Sequence, residues 1–195
     1  EALAPDPAAS QLVTTIVDND QPNLSIDDVT VNEGAGTVTF TVSLDQSPTA
    51  PATVNWATAS GTASADLDFT AASGSLTFQI GETVQQINVD LLNDTLFEGT
   101  EQFFLNLTAP SGAGIADGTG IGTILDDGTG AGGTDDDRPS LAVSSVSVTE
   151  GTDTHAVFTV SLSNPSTEQV VLGLALQEGT ATAGSDFAAA LEYYD

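Results

Sequence analysis

The feature of this sequence that most constrains its fold is an internal repeat. The segment 22–25 reads Pro-Asn-Leu-Ser and recurs at 139–142 as Pro-Ser-Leu-Ala, a spacing of 117 residues (139 − 22). The Glu-Gly pairs at 33–34 and 150–151 are also 117 residues apart (150 − 33). Self-similarity at a fixed spacing indicates repeated structural units. The sequence therefore predicts the last strand of a preceding repeat at 1–20, a complete repeat at 21–127, a Gly/Thr/Asp linker at 128–138 and the N-terminal half of a further repeat at 139–195.

Within the complete repeat, apolar residues alternate with polar ones. Val38, Phe40, Val42 and Leu44 show the pattern most clearly. A period of two is typical of strands that bury one face. Such segments are predicted at 24–32, 38–44, 53–59, 76–80, 87–91, 103–107 and 119–125, with turn-forming residues between them. Seven short strands in a repeat of this length predict an all-β fold, a β-sandwich.

The charge balance restricts the partners. The chain carries 28 Asp+Glu against 1 Lys+Arg, a formal net charge of -27. Nucleic acid and anionic membrane surfaces require a basic patch, so we expect neither as a partner. No apolar run approaches the roughly 18 residues of a membrane helix, and direct membrane insertion is not expected. Cations are the natural counterparts of this surface.

The residues of common catalytic sites are scarce. Cysteine is absent, His155 is the one histidine, and Arg138 is the one basic residue. Thiolate nucleophiles, thiolate zinc sites, Schiff-base lysines and most general bases are therefore missing. We predict that the protein is not an enzyme. Trp56 lies on the third predicted strand, where a sandwich packs an aromatic side chain into its core.

The acidic residues fall mainly at one end of the predicted sandwich. If consecutive strands run up and down, every connection after an odd-numbered strand lies at the same end. The acids in those connections are Glu33, Asp66, Asp68, Asp94, Glu98, Glu101, Asp126 and Asp127. The opposite end receives Asp45, Glu82 and Asp117.

Such a cluster needs a cation. Two carboxylates ~4 Å apart repel by about 1 kcal/mol even in bulk water, and by more at a partly buried site. Calcium accepts six to eight oxygen ligands in a flexible geometry, whereas zinc prefers nitrogen and sulfur and magnesium demands a stricter octahedron. The sequence therefore predicts Ca²⁺ at the acidic tip.

Four motifs carry a resemblance to a known family. They are Val31-Asn32-Glu33-Gly34, Gly61-Thr62-Ala63 followed by Asp68-Phe69, the segment 93–101 (Asn-Asp-Thr-Leu-Phe-Glu-Gly-Thr-Glu) and Thr123-Ile124-Leu125-Asp126-Asp127. In these residues the chain resembles the Calx-beta family. The resemblance implies a seven-stranded immunoglobulin-like β-sandwich and, at one tip of it, calcium ligands at Glu33, Asp68, Asp94, Glu98, Glu101, Asp126 and Asp127.

The sequence departs from the family pattern at two positions. Asn93 stands where calcium-sensing members have Asp, and Gly128 ends an Asp run that usually has three members. Fewer ions or weaker affinity would follow. The junction after Asp126 is nine residues longer than the one after Asp18. This inserted loop, 128–137, is either a flexible linker or an extra calcium-binding loop that returns Asp135, Asp136 or Asp137 to the site.

The expected function is that of a calcium-stiffened structural or adhesive repeat in a large secreted or cell-surface protein. Its expected partners are calcium ions, neighbouring repeats and a host or surface ligand. Two alternatives stay open. One is a regulatory Ca²⁺ sensor of a membrane transporter, and the other is an accessory carbohydrate-binding module of an extracellular hydrolase, which would need an exposed aromatic face.

Overall fold

The computed structural model describes residues 20–188, 190 and 191. The predicted strand of the preceding repeat, at 1–20, lies outside them except for its last residue. The strands are β1 Asn23–Ile26, β2 Val29–Asn32, β3 Thr37–Leu44, β4 Ala52–Ser60, β5 Ser73–Phe78, β6 Val84–Asp90, β7 Thr100–Ser111, β8 Gly114–Ile115, β9 Thr119–Leu125, β10 Leu141–Val143 and β11 Val160–Leu162. A 3-10 helix, Glu33–Ala35, follows β2.

Two sheets form the sandwich and confirm the predicted all-β fold. One sheet has the order β6-β3-β1-β8 and the other β2-β9-β7-β4-β5. The apolar residues of the alternating pattern face each other between the two sheets. Val38, Phe40 and Val42 are fully buried there. No helix in the described part of the chain is long and apolar enough to cross a bilayer.

The first predicted strand, 24–32, is two strands in the structure. β1 belongs to the four-stranded sheet and β2 to the five-stranded sheet, so the chain changes sheets between them. Asp27 and Asp28 lie at the crossing, and their carboxylates accept the amides of Thr41 at 2.7 Å and Ile121 at 2.8 Å. The two carboxylates thus provide acceptors for amides of β3 and β9 at the point where the chain passes from β1 to β2.

The order of the strands also differs from a simple up-and-down arrangement. β3 pairs with β6, β4 pairs with β7, and β2 pairs in parallel with β9. The connections that follow the odd-numbered predicted strands still lie at one end of the sandwich. The direction in which a strand runs decides where its connection lies, whichever strands it pairs with. Ile80, predicted in the fourth strand, lies beyond the end of β5 and is 68% exposed.

Aromatic side chains fill the core beneath the acidic end. Phe69 stacks on Phe103 with ring centroids 4.4 Å apart, and Phe40 meets Phe103 edge to face at 5.8 Å. All three are fully buried. Trp56 is partly buried and packs against this core, as its position on the third predicted strand indicates.

In the partial repeat, β10 and β11 form a two-stranded antiparallel sheet. One of its loops repeats the backbone of the first repeat. Asp186 Oδ2 accepts the amide of Thr182 at 2.8 Å, just as Asp68 Oδ2 accepts the amide of Ser64 at 2.6 Å. The repeat found in the sequence is thus a repeat of local structure.

Candidate metal centre

Glu33 is placed by the short helix after β2. Asn32 is the N-cap, and its side-chain oxygen accepts the amide of Gly34 at 3.0 Å. Gly36 ends the helix in a left-handed conformation, φ 73°, which glycine adopts without steric cost. Glu33 is only 5% exposed, and its Oε1 accepts the amide of Asp94 at 3.1 Å.

Asp68 is placed by the loop between β4 and β5. Its carboxylate bonds the amide of Ser64 within the loop, and the next residue, Phe69, anchors the loop in the aromatic core. The carbonyl oxygen of Asp68 accepts the amide of Leu92 at 3.0 Å, which joins this loop to the one after β6. Asp68 is 8% exposed.

Glu98 and Asp126 come from distant segments and meet at the tip. The amide of Glu98 donates to Asp126 Oδ2 at 2.9 Å. Asp126 follows β9 and is 3% exposed, so it is among the most buried charged residues described.

Two groups of three carboxylates result. Asp68, Glu98 and Glu101 form one group, in which one carboxylate oxygen of each residue lies within 4.8 Å of the other two. Glu33, Asp126 and Asp137 form the other group at the same spacing. Asp137 belongs to the inserted loop, and it was only one of three alternatives in the sequence.

Crowding and burial shift the acid–base equilibria of these groups. Burial, with the neighbouring Asp126, raises the pKa of Glu33 to about 7, although the bond from the Asp94 amide opposes the shift. Burial and the adjacent Asp68 raise the pKa of Glu101 to about 8. Burial also raises the pKa of Glu98 and of Asp126. A raised pKa means that ionising these carboxyl groups costs more free energy in the folded protein than in water.

Two of the seven predicted ligands lie outside both groups. Asp94 is exposed, and its Oδ1 accepts the amide of Leu96 at 2.7 Å, while its backbone amide bonds Glu33. Asp127 turns to Thr129, accepting both its amide and its hydroxyl, and these bonds lower the pKa of Asp127. Asp66, counted with the acids of this end, is exposed in a left-handed turn conformation, φ 67°.

The inserted loop folds back on the repeat. Ala131 bridges to Val31 of β2, and Asp136 bridges to Asp127. Asp136 forms an ion pair with Arg138 at 2.7 Å. The loop therefore lies against β2 and the tip, and it brings Asp137 to the carboxylates of Glu33 and Asp126.

The donor set suits a hard cation. All six carboxyl groups offer oxygen, the ligand atom that Ca²⁺ takes, and no sulfur or imidazole ligand accompanies them in the two groups. Asp126 Oδ1, Asp135 Oδ2 and Asp137 Oδ2 are buried without a hydrogen-bond partner. A cation bound by the second group would satisfy the oxygens of Asp126 and Asp137, since buried polar atoms are normally paired.

The solved structures that resemble this chain include two related domains. The apo-form Calx CBD1 domain matches with a TM-score of 0.53 and 29% identity, covering 55% of this chain and 99% of that one. CBD12 from CALX1.2 matches with a TM-score of 0.52 and 30% identity, covering 54% of this chain and 45% of that one.

A curated relative and the family profile complete the comparison. Adhesion G-protein coupled receptor V1 of Danio rerio is 37% identical over 86 residues, which are 44% of this chain and 1% of that protein. The chain thus spans a very small part of this relative. The profile of the Calx-beta domain matches residues 18–129 and 132–192, one match over each of the two predicted repeats. The chain belongs to the Calx-beta domain family.

Proposed function

We propose that this chain is a calcium-binding structural module in which Ca²⁺ at the acidic tip stabilises the complete repeat. The observation that carries the proposal is the pair of carboxylate groups at one end, one of which contains the 3% exposed Asp126 with an unpartnered oxygen. Glu33, Asp68, Glu98, Glu101 and Asp126 would hold the metal directly. Asp94 and Asp127 would join them only by turning from their present partners.

The physical basis is the removal of charge repulsion. Without a cation, the site must either retain protons or accept repulsion between buried carboxylates. A divalent ion bound only by the folded protein stabilises it by about 2.7 kcal/mol at 100 times its dissociation constant. The proposed role of the module is to bind calcium and so become a stiffer structural unit, and we propose no catalytic role for it.

The proposed setting is a tandem array in a secreted or cell-surface protein. Two observations support it: the chain contains more than one copy of the domain, and a relative of one segment is named as an adhesion receptor. The neighbouring repeat contacts the tip directly. The amide of Phe97 donates to Pro165 O at 3.1 Å, and the amide of Thr167 donates to Phe97 O at 3.0 Å.

A regulatory calcium sensor is the second candidate. It is favoured by the match to tandem domains, among them the calcium binding domain CBD12 of CALX1.1, with a TM-score of 0.51 and 29% identity. Both candidates use the same site. A sensor requires a dissociation constant near its signalling range, whereas a structural repeat of an extracellular protein functions at 10⁻⁴–10⁻³ M calcium, to order of magnitude.

Thermal unfolding with millimolar calcium, with magnesium and with chelator tests the proposal. Calcium should raise the midpoint well above the value in chelator, and magnesium should do so less. Asp68→Asn and Glu101→Gln should reduce the calcium response. Asp117→Asn is the matched control, because Asp117 precedes β9 at the opposite end and Asn preserves its bond from the Thr119 amide. Identical curves under all three conditions would contradict calcium binding.

A further inference from the structure

We propose that Asp137 of the inserted loop is a metal ligand, together with Glu33 and Asp126 of the second carboxylate group. The inference rests on the proposed function, because it names an additional ligand of the same site. It assigns a role to an insertion that the first junction of the chain lacks.

The chain leaves the tip at Gly128 and returns to it nine residues later. Gly128 adopts φ 75°, and its amide donates to Asp135 O at 2.7 Å, which closes the loop at its base. A Cβ atom at residue 128 would lie 3.1 Å from the Cβ of Asp136. Gly128, which follows Asp126 and Asp127, therefore leaves space for the segment of the loop that returns to the tip.

The structure distinguishes the three aspartates of the loop. The Asp136 carboxylate binds the Arg138 guanidinium through two hydrogen bonds, at 2.7 and 2.8 Å, and is directed to solvent with it. Asp135 has a buried Oδ2, but it stands outside both carboxylate groups. Asp137 alone of the three lies within 4.8 Å of the carboxylates of Glu33 and Asp126.

Two buried oxygens without partners point to a ligand at this position. Asp126 is 3% exposed; its Oδ2 accepts the Glu98 amide, while Oδ1 has no partner. Asp137 Oδ2 is also buried and unpartnered. A buried carboxylate oxygen without a donor loses its hydration and gains no hydrogen bond in exchange. A cation between these groups is the simplest way to satisfy both oxygens.

The position of Asp137 also connects the site to the next repeat. Asp137 directly precedes Arg138 and Pro139, and its carbonyl oxygen accepts the side-chain amide of Asn164. Asn164 also donates to Thr95 O at 3.3 Å, in the loop that leads to Glu98. An ion held by Asp137 would therefore fix the start of the following repeat against the tip of the preceding one.

Calcium titration by calorimetry on the full 195-residue chain, with unfolding measured in chelator, tests the inference. Asp137→Asn should weaken binding at one position roughly tenfold or remove one ion from the stoichiometry, because fewer charged ligands weaken calcium sites. In chelator the same variant should be more stable than wild type, because a repelling charge is gone. Asp136→Asn, in the same loop, should leave calcium affinity unchanged.

The outcomes separate this inference from the proposed function. If the wild-type chain binds no calcium, the proposed function fails and this inference with it. If the wild type binds calcium and Asp137→Asn binds it equally well, only the role of Asp137 is wrong. If Asp137→Asn lowers stability in chelator as well as calcium binding, or if Asp136→Asn weakens binding as much, the loop acts structurally and the assignment of Asp137 as a ligand is overturned.

Discussion

The side chain of Asn32 bonds both backbone groups of Asp135, with Nδ2 donating to the carbonyl oxygen at 3.0 Å and Oδ1 accepting the amide at 3.1 Å. The same Nδ2 reaches Leu125 O at 3.3 Å and Thr129 O at 3.1 Å. Asn32 is fully buried. One amide thus joins β2, the end of β9 and the inserted loop immediately beside Glu33.

Removing this amide should release the loop. Asn32→Ala leaves several buried backbone groups without partners, and each unsatisfied group costs about 1–3 kcal/mol. We expect a loss of at least 2 kcal/mol, to order of magnitude, in chemical denaturation, and faster cleavage within 128–137 by a protease of broad specificity. Asn88→Ala, which removes an exposed bond to Thr39, is the control and should change stability by less than about 0.5 kcal/mol. Equal effects of the two substitutions would contradict the anchoring role.

Stability in chelator should fall as pH rises from about 4.5 to about 8. The pKa of Glu33 is raised from 4.5 to about 7 and that of Glu101 to about 8, so the folded state binds more protons than the unfolded state in this window. Stability therefore decreases with pH until the folded-state groups ionise, and calcium, which competes with these protons, should add more stability at pH 8 than at pH 5. Unfolding measured across this range checks both slopes. Glu101→Gln should flatten the slope in chelator, whereas Glu82→Gln, at the opposite end, should not.

The aromatic core should affect calcium binding through Phe69. Phe69→Leu removes the stacking contact with Phe103 that anchors the Asp68 loop. Phe78→Leu removes an equally buried ring at the end of β5, beside Ala52 and far from the tip. Both should destabilise the repeat by about 1 kcal/mol or more. Calorimetry should show weaker calcium binding for Phe69→Leu only, and a similar loss for Phe78→Leu would contradict this positioning role.

The contact between the two repeats should depend on Asn164. Asn164→Ala removes its bonds to Thr95 O, in the loop that leads to Glu98, and to Asp137 O, at the end of the inserted loop. We expect small-angle scattering in calcium to show a more variable separation of the repeats than in wild type. Ser144→Ala is the control, because the Ser144 hydroxyl bonds Thr159 within the partial repeat. An unchanged scattering profile for Asn164→Ala would show that other contacts fix the junction.

Much of the fold was predictable, because the alternation of apolar and polar residues along the chain identifies each strand locally. The alternation Val38, Phe40, Val42, Leu44 matches the buried face of β3 residue by residue. The count of connections also assigned Glu33, Asp68 and Asp126 to one end, since direction along the chain needs no knowledge of strand neighbours. Strand order was not predictable, because pairing of β2 with β9 or of β3 with β6 joins segments far apart in the sequence.

The loop that carries Asp68 shows what the sequence by itself determined. Its counterpart around Asp186 has the same hydrogen bond from a backbone amide and the same isolated bridge, Ala183 to Phe187 in place of Ala65 to Phe69. The two loops lie in different surroundings yet adopt one backbone conformation. Short-range hydrogen bonds between residues four apart suffice for this, so the local sequence specifies it.

Only the tertiary structure decided which of these loops places its aspartate beside other carboxylates. Phe69 is fully buried and Asp68 is 8% exposed beside Glu98 and Glu101, whereas Asp186 is exposed. Asp137 lies in one of the carboxylate groups and Asp127 does not, and this difference likewise depends on Asn32 and on the path of the inserted loop. A carboxylate becomes a candidate ligand when distant segments bury it beside other carboxylates. Its burial and its neighbours come from long-range packing, which no local pattern of residues contains.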